Sequence, residues 1–82
     1  MGLKKLAARV AEYQQRLDAG RARKIEPAHV EKVLGKLRRK EAELLSRLAA
    51  EDDAAERADL ERKVRVAREH ISRAEWLLGE IA

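Results

Sequence analysis

The chain has 82 residues, and 15 of its 37 apolar side chains are Ala, which leaves 22 larger ones for the core of one small domain spanning 1–82. Charged residues make up 41% and aromatics 2%, a weighting toward Ala, Glu, Lys, Leu and Arg that belongs to long helices and coiled coils and points to an all-α fold. With no cysteine, a disulfide scaffold, a thiolate zinc site and a cysteine nucleophile are excluded.

The periodicity divides the chain into three helices. The first runs from about 3 to 19, with Leu3, Leu6, Val10, Tyr13 and Leu17 on one stripe and Gly20 as its stop. Residues 20–26 make a basic connector. Pro27 suits the first turn of a second helix, where its missing N–H costs nothing.

That second helix runs from about 27 to 50 with Val30, Leu34, Leu37, Glu41, Leu44 and Leu48 on its stripe, widened by Val33 and Leu45. Asp52 or Asp53 then caps a third helix, and Asp53 with Glu56 has the spacing of a capping box. The third helix, about 54–81, repeats Leu60, Val64, Ala67, Ile71, Ala74, Leu78 and Ile81 in a heptad seam. On its outer faces Asp59 and Lys63, Glu61 and Arg65, and Glu69 and Arg73 stand at the spacing of stabilising ion pairs.

A turn near Asp52 folds the second and third helices into an antiparallel hairpin in which facing residue numbers total about 105. Leu48 then meets Arg57, Leu44 meets Leu60, and Leu37 meets Ala67. Glu41 is the one charge on the seam, with Arg65 and Arg68 within reach to pair with it and fix the register. Two helices bury too little to stand alone, so a further apolar surface is required. It comes either from the first helix, giving a three-helix bundle, or from a second chain, giving a dimeric helical bundle.

Nothing in the sequence has the pattern of an active site, and no cofactor is implied. The chain has no glycine-rich phosphate loop, no paired metal-binding histidines on one helix and no nucleophile elbow. His29 and His70 lie too far apart along the hairpin to share a metal ion; His29 is expected over the Trp76 end and His70 beside Ile71. The expectation is therefore a non-enzymatic module for protein–protein interaction or oligomerisation, with a protein partner or a homodimer as its target. Val33, Trp76, Leu77 and Ile81 are the candidate contact surface, because aromatic anchors beside apolar neighbours dominate such interfaces.

The alternative is a small nucleic-acid-associated or transcription-linked protein. Residues 1–41 carry 12 basic and 5 acidic side chains (+7) against 7 and 10 (−3) in residues 42–82. Lys36, Arg38, Arg39 and Lys40 fall alongside Arg62, Lys63, Arg65 and Arg68 in the expected register, forming a basic belt able to meet phosphates. Interleaved aromatics for base stacking are missing, and Glu31, Glu41, Glu61 and Glu69 lie among the cations.

The opening Gly-Leu-Lys-Lys-Leu suits a helix lying on anionic lipid, but Glu12 and Asp18 and the lack of an interfacial Trp favour a buried core helix, so a membrane partner is not expected. No apolar run is long enough to span a bilayer and no signal-peptide core is present, so the expected compartment is the cytoplasm. The Ala and Arg richness fits a GC-rich bacterial genome. The tip Asp53-Ala-Ala-Glu56-Arg57-Ala58 resembles the acidic coiled-coil tip of DksA-type regulators over six residues, which implies contact with RNA polymerase. It departs from that pattern at the second acid, Glu56, and in lacking the family's zinc-finger cysteines; the same residues are also those of a helix cap.

Overall fold

A computed structural model describes residues 2–20 and 25–81, and their regular structure is three helices: α1 (Leu3–Asp18), α2 (Pro27–Ala50) and α3 (Ala54–Ile81). The boundaries fall within a residue of those expected, because each end has its own chemistry. Gly20 takes φ +73°, a left-handed conformation open to glycine, and its N–H donates to Leu17 O at 3.0 Å to close α1. Pro27 begins α2 behind an extended Glu26. The connector residues 21–24 lie outside the described residues.

The tip of the hairpin is a three-residue turn, Glu51 to Asp53. Asp53 Oδ2 accepts from Glu56 N at 3.0 Å, so Asp53 caps α3 as the spacing predicts. In the other half of the expected capping box, Glu51 takes the place of Glu56: its Oε1 accepts from Asp53 N at 3.1 Å. Arg57 donates to Leu48 O at 2.8 Å and to Glu51 O at 2.9 Å, satisfying carbonyls at the end of α2. Leu48 and Arg57 are the pair that the register set opposite one another, so this bond ties the register at its origin.

The molecule is a rod of 47 × 19 × 18 Å. At 1.5 Å per residue α3 extends about 42 Å, α2 about 36 Å and α1 about 24 Å. The segment of α1 at Arg9 and Tyr13 lies beside His29 to Lys36, and its start at Leu3 and Lys4 lies beside Leu44 and Arg47. Hence α1 runs antiparallel to α2 and parallel to α3, and it reaches only part of the way from the open end toward the tip.

The core divides accordingly. Over the open half, Leu6, Val10 and Tyr13 of α1 enclose Ile25, Val30, Val33, Leu34, Leu37, Ala74 and Leu77. In the tip half, Leu44, Leu60, Val64 and Ala67 are buried between α2 and α3. Leu3 packs against both groups and marks the point where the third layer stops. The fold is therefore the closed three-helix alternative, completed within one chain.

Closure corrects several expectations about surfaces. Leu77 is 0% exposed and Val33 4%, and Ile81 packs against the same core, so these three do not form an outward contact patch with Trp76. The apolar stripe of α1 covers the excess that the bare hairpin would have shown. Leu45, expected to widen the buried stripe, is 38% exposed instead, because α1 lies on the other side of α2. No helix of the described residues is long and apolar enough to cross a membrane.

Candidate functional site

α1 occupies the trough between α2 and α3. Beside its first two turns an open groove of about 510 Å³ lies among the three helices. Leu3 and Ala7 of α1 and Val66 of α3 form its apolar floor over a buried Leu44, and Lys4, Lys40, Arg47, Arg62, Lys63 and His70 stand around it. Each helix contributes at its natural repeat: Lys40, Leu44 and Arg47 are one stripe of α2, and Arg62, Val66 and His70 are one stripe of α3.

Two acids hold part of this rim in place. Asp59 lies 2.8 Å from Arg62 and 3.1 Å from Lys63, and those two hydrogen bonds keep its carboxyl below the usual value. Glu43 lies 3.6 Å from Lys40. Lys4 and Arg47 have no ion-pair partner among the described residues. The first turn of α1 contains no acid, and Gly2 gives it no side-chain cap, so no acid of that turn offsets Lys4 at the groove.

The eight residues of the predicted belt do not form one patch. Successive helical residues turn by about 100°, so four nearly adjacent cations wind around α2 and cannot share a face. Arg38 points to the side away from α1, 3.5 Å from Glu75, over a depression lined by Leu34, Gly35, Leu78 and Gly79. Arg68 Nε donates to Glu41 Oε2 at 2.7 Å across the hairpin, so of the two arginines expected near Glu41 it is Arg68 that pairs with it. Lys40, Arg62 and Lys63 belong to the groove. Lys36 and Arg39 lie on the outer side of α2 with Lys40 and Glu43, and Arg65 is exposed on α3.

The structure gathers a different set of cations between α1 and α2. Arg9, Lys32 and Lys36 surround a smaller pocket with Tyr13, His29 and Val33. These three cations, like Arg39, have no ion-pair partner among the described residues. Arg16 lies over the Tyr13 ring, 5.9 Å from its centre, and pairs with Glu12. His29 is 3.4 Å from Glu26 on this face, not over Trp76 as expected, because Trp76 projects on the α1–α3 side among Gln14, Glu69, Ser72 and Arg73. Trp76 is half exposed and stands apart from the other three predicted contact residues.

Sequence reasoning missed Leu3, Lys4, Ala7, Arg47, Val66 and His70 as parts of one site. The helix lengths held the signal: a first helix of 16 residues cannot cover a hairpin whose arms have 24 and 28. Among the described residues no three His, Asp or Glu side chains come together as metal ligands would. No family model matches the chain, and no curated protein or solved structure is significantly similar to it.

Proposed function

We propose that the chain is a non-enzymatic helical binding module that engages a protein partner through the groove beside the first turns of α1. The observation that carries this reading is the composition of that groove: an apolar floor with cations from all three helices around it. Apolar contact supplies affinity and the charged border supplies orientation and encounter rate, which is the division of labour in protein interfaces. The core needs no second chain to close, so the groove is available to a different molecule. Asp59, whose carboxyl Arg62 and Lys63 hold low, is satisfied by these two neighbouring cations on an open rim, an arrangement that orders side chains without poising a proton for transfer.

A photo-activated cross-linker placed at Val66 in the groove, and separately at Ser46 outside it, tests this in cells that make the chain. The reading expects a discrete protein adduct from position 66 and none from position 46. Equal adducts from both positions would contradict it.

A second reading has its own observation. Arg9, Lys32 and Lys36 stand between α1 and α2 with Arg39 next to Lys36 on α2, none has an ion-pair partner among the described residues, and four phosphate contacts there would give a log–log salt slope of roughly −3.6. A nucleic acid bound there would co-elute with the natively purified chain and be lost in high salt. Lys36→Glu with Arg39→Glu would abolish that binding while leaving the groove intact. The two readings thus fall on different faces and respond to different substitutions.

A further inference from the structure

We infer that the small pocket between α1 and α2 is a seat for one phosphate group carrying two negative charges, a phosphomonoester or the phosphorylated end of a longer ligand. The inference rests on the reading that the α1–α2 side meets phosphates, and it goes further by assigning one group of defined charge to one pocket.

Two helices build the pocket, each at its own repeat. Arg9 and Tyr13 stand one turn apart on α1, and His29, Lys32 and Lys36 follow one stripe of α2. Tyr13 and Val33 are buried in the core and close the back of the pocket, while the stem of Lys36 is half-buried beside them. The open space is about 200 Å³, less than half of the 510 Å³ of the groove beside α1, so it suits a compact head group and not a packed helix.

Charge then selects the group. Arg9, Lys32 and Lys36 have no ion-pair partner among the described residues. The acids close to them in sequence are turned elsewhere: Glu12 bonds Arg16, Glu26 lies by His29, and Glu31 lines the depression at Gly35 and Gly79. Three cations from two helices therefore share one mouth with no acid lining it, and their mutual repulsion is offset when an anion enters. The apolar wall behind them strengthens that attraction by excluding water from one side.

Oxygen count and charge favour a phosphate monoester over other anions. A guanidinium fork and two ammonium groups approaching from two helices can each meet a different oxygen of a terminal phosphate, whereas a carboxylate offers two oxygens and a single charge. A phosphodiester also carries a single charge, so it gains less from the same three cations.

The test follows amide signals of the full, isotope-labelled chain by NMR during titration with methyl phosphate and, separately, dimethyl phosphate at about pH 7.5, where a phosphomonoester is mostly a dianion. Methyl phosphate should shift the amides of Arg9, Tyr13, His29, Lys32 and Lys36 with a Kd on the order of 1 mM, and dimethyl phosphate should bind at least about fivefold more weakly. Lys32→Gln with Lys36→Gln keeps good helix formers on α2 and should abolish the shifts at Arg9 and Tyr13, while Arg47→Gln with Lys63→Gln at the groove should change the Kd by less than about twofold. Equal affinity for the two esters, or shifts spread evenly to Lys4, Arg47 and Arg65, would overturn the inference. A thymidine oligonucleotide with and without a 5′-phosphate separates the sources of the group. Preference for the phosphorylated strand, with shifts in the pocket, supports the inference and places the group on a nucleic-acid end. If methyl phosphate binds and neither strand does, the pocket stands for a free phosphorylated small molecule and the nucleic-acid reading falls. If both strands bind equally and the pocket amides stay still, the nucleic-acid reading stands and this inference falls.

Discussion

The two halves of the rod are built from the same pair of helices, yet they are held together differently. In the open half a third helix encloses Leu37, Ala74 and Leu77, and Trp76 is the large apolar side chain left half exposed there among the described residues. In the tip half Leu44, Leu60, Val64 and Ala67 are buried between two helices with only Leu3 of α1 against them, and Arg57 and the Asp53 cap bond the turn that joins the arms. The contrast teaches that the short α1 has two effects: it completes a core where it lies, and it leaves a bordered groove beside its first turns. The stability of one half and the binding surface of the other follow from a single difference in helix length.

The largest expected effect separates the halves directly. Leu77→Ala removes a side chain surrounded by three helices, where the void cannot collapse, and should cost about 4 kcal/mol. Leu44→Ala, buried between two helices with only Leu3 of α1 and the groove beyond, should cost about 2 to 3 kcal/mol because its surroundings can relax toward the groove. Urea unfolding measures both, and equal costs would erase the distinction.

Arg57→Ala comes next. It strips two charge-assisted hydrogen bonds from the carbonyls of Leu48 and Glu51, with an expected loss of about 2 kcal/mol concentrated at the tip. Both bonds leave a single guanidinium nitrogen, Nη1, so Arg57→Lys, with three donors on one nitrogen but a shorter reach, should recover part of this. Thermal melts of the two variants provide the comparison.

A smaller change, with opposite sign, is expected at Gly35. Its φ is not positive, and an added Cβ would meet no atom within 4 Å, so Gly35→Ala should stabilise α2 by about 0.5 to 1 kcal/mol in the same melts. A loss instead would show that something approaches this glycine closely.

The smallest effect is pH-dependent and belongs to the rim of the groove. Because Arg62 and Lys63 lower the Asp59 carboxyl, its contribution is present above the ordinary value of 3.8 and disappears as the pH falls through the lower folded-state value. The difference in Tm between the natural chain and Asp59→Asn should therefore close on going from neutral pH toward pH 2. A difference that persists unchanged at low pH would mean that the substitution acts through something other than this ion pair.

Much of the hairpin was legible in the residues themselves. Asp53, Pro27 and Gly20 each carry local chemistry that ends or begins a helix whatever surrounds it, and the seams of α2 and α3 set the register through Leu48 and Arg57. What was not legible is which side of the hairpin faces out. Val33 and Leu77 look like contact residues on a bare hairpin and become core once Leu6, Val10 and Tyr13 lie over that half. The run Lys36 to Lys40 looks like a patch in one dimension and is parted by the helical turn, with Arg38 drawn to Glu75 and Lys36 left beside Arg9. The groove arises from the length of α1 relative to its neighbours, a property no single motif records.

Native-state hydrogen exchange of the free chain, followed amide by amide, tests most directly the claim that the halves differ because α1 covers one and not the other. The account predicts that amides around Leu44 and Leu60 exchange through openings of lower free energy than those around Leu37, Ala74 and Leu77. Uniform protection along α2 and α3, or stronger protection at the tip, would contradict it.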